Sequence, residues 1–145
     1  MKKKLTILIV AAVLAFSTTF AKGTNDPSPR VQTEFKTVFV KAKEVKWEKV
    51  SNLFKASFIQ GEQYLSAYFA PDGRMVGLSR NISINSLPLI LQKGIQIKLS
   101  SLWVSESFEV FGINGTEYFV TLENAKEQSI FKATGDEWTI YKTVQ

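Results

Sequence analysis

The chain has 145 residues, 45% of them hydrophobic and 21% charged, which is the composition of a single globular domain able to fold without a cofactor. Cysteine and histidine are both absent, and this excludes disulfides, thiol nucleophiles, Cys/His zinc sites, Ser-His pairs and haem attachment. The formal charge of +5 includes Lys2, Lys3 and Lys4 of a removable leader; without them 15 basic residues face 13 acidic ones, and a net +2 is too small and too scattered for a nucleic-acid surface.

Residues 1–21 read as a cleavable signal peptide: a basic start, an apolar run over residues 5–16 broken by Thr6 alone, and small Ala21 behind Thr19 and Phe20. The run is about a dozen residues, short of the ~20 needed to span a bilayer, and there is no cysteine to carry a lipid. The mature chain is therefore expected to begin near Lys22, to be soluble without a membrane anchor, and to be periplasmic or secreted.

Residues 22–29 form a Gly-, Pro- and Asn-rich leader. Ser28 is placed to cap a helix with Pro29 at its first position, where a missing N–H costs nothing. Val31, Phe35, Val38 and Phe39 then give that helix one apolar face. From Lys43 the period shifts to two, with Val45 and Trp47, then Phe54, Ala56 and Phe58, then Leu65, Ala67 and Phe69, and a fourth strand over residues 74–82. Gly61-Glu62 and Pro71-Asp72-Gly73 supply tight turns between them.

The pattern restarts with Ser86 as a cap, Pro88 in a first turn, and Leu87, Ile90, Leu91 and Ile95 at helical spacing; Gly94 is expected to weaken or shorten this helix. Residues 102–111, 117–122, 128–133 and 138–143 read as four more strands. Trp47 and Trp103 lie 56 residues apart, and Gly61-Glu62-Gln63-Tyr64 and Gly115-Thr116-Glu117-Tyr118 lie 54 apart, as a duplication with a small insertion or deletion would leave them. The expected fold is α+β: two units, residues 30–82 and 83–145 of one domain, each with about one helix and four antiparallel strands, the helices packed on one face of the sheet.

The first unit resembles the PepSY-like family of small exported bacterial proteins. The resemblance is carried by Phe35, Phe39, Ala42, Val45-Lys46-Trp47, Phe54-Lys55-Ala56-Ser57-Phe58, Gly61, Ala67-Tyr68-Phe69 and Asp72-Gly73, with Leu87-Pro88 similar to the start of the family's second unit. Val40 stands where the family usually has proline, and Asn124-Ala125-Lys126 where an Asp-Gly turn would be expected. The resemblance implies a fold related to that of beta-lactamase inhibitory protein, and an envelope or secreted binding module, an inhibitor among the possibilities, with no catalytic residues to transfer.

Without His or Cys, hydrolytic chemistry would need paired carboxylates, and Glu106/Glu109, Glu123/Glu127 and Asp136/Glu137 are the neighbours available. Acidic residues at strand ends are more often simply solvated, so no catalytic residue, metal ligand or cofactor is assigned. A Lys98/Ser100 dyad is weaker still, Asp72-Gly73 lacks the spacing of a calcium loop, and the acceptor patterns at Asn81 and Asn114 are incidental in a bacterial protein. The functional signal is aromatic. Both alternation phases carry apolar residues in places, as with Tyr64 and Tyr68 against Leu65, Ala67 and Phe69, or Phe119 against Tyr118, Val120 and Leu122. The leading expectation is that a helix-free sheet face bearing some of Trp47, Tyr68, Phe69, Trp103, Phe119 and Trp138 binds another envelope or secreted protein or peptide. The competing readings are burial of that surplus by neighbouring strands, a carboxylate-based envelope hydrolase, and a structural or stress-related envelope protein without a tight ligand.

Overall fold

The computed structural model describes residues 26–144; the expected signal peptide and the start of the leader lie outside them. The fold is α+β, with two helices and eight antiparallel strands among the described residues, which divide by contact into two compact units: residues 26–80 with Gly112–Asn114, and Asn81–Phe111 with residues 115–144.

In the first unit helix α1 (Pro29–Val38) precedes strands β1 (Lys43–Val50), β2 (Leu53–Gln60), β3 (Gln63–Phe69) and β4 (Met75–Asn81), each paired with its neighbour in sequence. Ser28 caps α1 as expected, its Oγ accepting the Val31 N–H at 3.4 Å with Pro29 in the first turn. The register sets Phe54 opposite Phe69, Ala56 opposite Ala67 and Phe58 opposite Leu65, so these six share one sheet face. Val31, Phe35 and Phe39 of α1 and its C-cap close over that face. Phe35 is the hub, its ring centroid 5.3 Å from Phe39, 5.2 Å from Trp47, 5.1 Å from Phe58 and 6.2 Å from Phe69. Each such pair adds about 0.5–1.5 kcal/mol to what burial alone supplies. Val38, expected on the apolar face, is instead exposed: α1 ends there, and the chain turns so that Phe39 fills the core.

The second unit has a 3-10 turn (Ile84–Ser86), helix α2 (Leu89–Gln96), a second 3-10 turn (Ile97–Ser100), and strands β5 (Trp103–Gly112), β6 (Gly115–Glu123), β7 (Gln128–Ala133) and β8 (Trp138–Val144). Leu87, Leu91 and Ile95 pack against Val120, Leu122, Phe131 and Ala133 in its core. Two local expectations are corrected. Ser86 is not a helix cap: it ends the 3-10 turn that Ser83 caps, and α2 begins after Pro88 with no side-chain cap, because the proline ring carries no hydrogen-bond acceptor. Ile90 is exposed rather than buried, since the contact stripe of so short a helix is filled by Leu91 and Ile95. Lys98 and Ser100 lie in the second 3-10 turn, with the Lys98 ammonium 4.9 Å from the Phe131 ring centroid.

Candidate functional site

The six aromatics singled out in the sequence do not share an open face. Phe69 is fully buried in the first core, and Trp47 lies half-buried on the same side, 6.0 Å from it. Trp138 packs into the second core, where its Nε1 donates to the Leu91 carbonyl at 2.9 Å. The expectation of a helix-free face is therefore corrected for Trp47, Phe69 and Trp138, whose alternation phase turns them towards the helices. Tyr68 and Phe119 are on the other faces of their strands, and both are fully buried.

Phe119 shows how such a ring is covered. It stacks on Phe108 at 5.0 Å and 13°, meets the Tyr141 ring edge-on at 5.9 Å, and lies under the Lys132 ammonium, 5.8 Å from its centroid. Lys132 in turn reaches Glu117 Oε1 at 2.7 Å, while Oε2 of this buried carboxylate has no hydrogen-bond partner among the described residues. Tyr141 has its pKa raised by burial and by the charge of Glu117. Tyr68 is similar: burial raises its pKa well above the ordinary tyrosine value, outweighing a nearby Ser79 that lowers it, and its Oη has no partner at hydrogen-bonding geometry among the described residues. The buried Lys55 pairs on that face with Glu48 at 3.5 Å.

Trp103 is the one of the six that is exposed, at 53%. Its Nε1 donates to Glu123 Oε1 at 2.9 Å, and Gln128 Nε2 donates to Glu123 Oε2 at 3.0 Å, so the indole is held in one orientation. These two bonds hold the Glu123 carboxyl below the usual carboxylate range. Of the acidic pairs, Glu106 has its pKa raised by burial, and Glu109, three residues on, is buried too. Glu127, Asp136 and Glu137 are exposed. Among the described residues no group of three or more acidic side chains is placed to hold a metal ion, and no helix is long and apolar enough to cross a membrane.

A second feature, missed in the sequence, lies on the first unit. A groove of about 300 Å³ runs between the C-terminal half of α1 and β1, lined by Phe35, Phe39, Val40, Ala42, Val45 and Trp47, with Gln32 and Lys36 on the helix side. Val40 is 81% exposed at its mouth. The exposed apolar Val40 immediately after the helix aromatic is the available signal, though in the sequence it registers only as a departure from the family pattern.

No protein-family model matches the sequence, and no curated protein is significantly similar to it. Solved structures are similar in fold. A BLIP-like protein of Bacteroides fragilis superposes with a TM-score of 0.69 at 21% identity, over 82% of this chain and 87% of that one. A candidate periplasmic protein of Bacteroides eggerthii gives 0.74 at 13% identity over 82% and 88%, and a DUF2874 family protein of Bacteroides ovatus 0.71 at 17% over 82% and 87%. The chain has the BLIP-like fold that its resemblance implied.

Proposed function

We propose that this chain is an exported, non-catalytic binding module of the bacterial envelope, a PepSY-like protein that arose by duplication of a helix-plus-four-strands unit, and that it binds another protein through the surface around Trp103. The observation that carries the reading is the exposed indole fixed by Glu123. An aromatic anchor already held in one rotamer loses little entropy on binding, and such residues concentrate interface energy. The BLIP-like and periplasmic neighbours support a binding role in the envelope.

Ser105 is exposed and two residues from Trp103, on the same face of β5. With a photoreactive residue at position 105, the protein exported in a Bacteroides host is expected to give one discrete crosslinked partner, lost in Trp103→Ala. Glu123→Gln, which weakens the hold on the indole, should reduce the yield without abolishing it. Crosslinking indifferent to Trp103→Ala would overturn the proposal. If the captured partner is an enzyme, its rate with and without the purified module decides whether binding is inhibition.

A further inference from the structure

The groove beside α1 adjoins an open sheet edge. Strand β1 is paired with β2 on one side, and among the described residues no strand pairs with its other side, so its outward N–H and C=O groups are available to a further strand. The edge is interrupted at one end, where the register shifts between Lys43 and Lys46 and Glu44 takes φ 53°. From Lys46 to Val50 the pairing with β2 is regular. The groove and the regular edge meet at Trp47, which lines the first and belongs to the second.

The charge around them is one-sided. Lys36, Lys41, Lys43, Lys46 and Lys49 are all exposed, and none makes an ion pair with a described residue. Over the same stretch the acidic residues are Glu44 and Glu48, and Glu48 is already engaged by Lys55. Side chains alternate along β1, with Val45 and Trp47 towards the groove and Lys46 towards the other face. A strand added here would therefore meet the apolar pocket of Val45 and Trp47 on one phase, with Lys49 beyond it, and Lys46 on the other, beside a Glu48 already engaged by Lys55.

We propose that the groove between α1 and β1 docks an acidic, extended segment of a partner protein, which adds to the edge of β1 and inserts an apolar side chain over Trp47. Main-chain bonds to the edge supply affinity, and the alternation of apolar and acidic side chains supplies selectivity. This site goes beyond the Trp103 surface and stands or falls separately from it.

The probe is a fluorescein-labelled seven-residue peptide alternating Glu with Leu and Phe, titrated by anisotropy against the mature chain, with a Lys-for-Glu peptide as control. The acidic peptide is expected to bind and the basic one not, and binding should weaken progressively towards ~1 M salt, where charges are screened beyond ~3 Å. Lys46→Glu should weaken binding about fivefold and Val40→Asp about tenfold, both at exposed positions where folding is not at stake. Trp103→Ala should leave it unchanged. Equal binding of the two peptides, no binding of either, or affinity indifferent to both substitutions overturns the proposal. So does a concentration-dependent dimer in sedimentation that Val40→Asp dissociates and the acidic peptide does not, because the edge would then belong to a second copy.

Discussion

Burial of Tyr68 ties the stability of the first unit to alkaline pH. Its hydroxyl ionises near pH 10 in the unfolded chain and well above that in the folded one, because desolvation penalises the phenolate and Glu48 adds like charge. Below pH 10 both states hold the proton and the group contributes nothing to the pH dependence. Above it the unfolded chain releases a proton that the folded chain keeps, so the unfolded state binds fewer protons and stability falls as pH rises. Tyr141 acts in the same direction, more weakly because it is partly exposed. Tyr68→Phe is expected to flatten the fall of the urea midpoint above pH ~10, and to cost nothing at neutral pH, because Oη gives up no hydrogen bond. A loss of more than about 1 kcal/mol at pH ~7 would mean that the hydroxyl is bonded after all. The β1–β2 hairpin offers a second residue-level test. Val50 faces Leu53, which leaves Ser51 and Asn52 as the turn, and Ser51 adopts φ 57°, a region where Cβ crowds the backbone. The neighbouring β2–β3 turn solves the same problem with Gly61 at φ 65°. Ser51→Gly should therefore raise stability by about 1 kcal/mol in denaturant titrations, against the usual trend for adding glycine.

At the level of elements, Gly94 looks like a defect in α2 and is a fitting surface. A Cβ there would meet Trp138 Cδ1 at 3.0 Å, and Trp138 is the ring that bonds the Leu91 carbonyl on the same helix. Gly94→Ala gains about 1 kcal/mol of helix propensity, but must push the indole away, at roughly 1–3 kcal/mol of overpacking plus about 1 kcal/mol for the hydrogen bond. The substitution should lower the thermal midpoint, and Gly94→Ala on a Trp138→Phe background should cost less. From sequence this glycine signals only a weak helix, because the ring that needs it comes from β8, far along the chain. The same limit separates what was legible from what was not. Period-two runs bounded by turn residues place β7 at residues 128–133 without error, and Ser28-Pro29 marks the start of α1. Alternation also assigns Phe119 and Tyr68 to the faces opposite the helices. Whether such a face is open is another matter. Phe119 is sealed by Phe108, Tyr141 and Lys132 from three different strands, and no local pattern announces that convergence. Residue type groups Trp47, Phe69 and Trp138 with Trp103, whereas their positions in the alternation already turn the first two towards the helix.

For the whole chain, the absence of cysteine leaves packing to hold the fold together. A protein without cysteine is indifferent to redox conditions, and two apolar cores, one crowded with aromatic rings and one with aliphatic side chains against Phe131, replace the disulfides that many small exported domains use. The described fold begins at the Ser28 cap, so a cut near Ala21 leaves every described helix and strand intact. That makes processing separable from folding. Expressed with its leader in a bacterial host, the protein is expected to be released by osmotic shock or found in the medium, and intact-mass analysis should show a chain starting at Lys22. Replacing Ile9, inside the apolar run, by Arg should block export and leave the uncut form in the cytoplasm, while the form starting at Lys22, made without the leader, should have the same urea midpoint as the secreted product. Recovery of the wild-type chain from the cytoplasm with Met1 still attached would show that residues 1–21 are not an export signal, and would remove the envelope as the place where the Trp103 surface meets its partner.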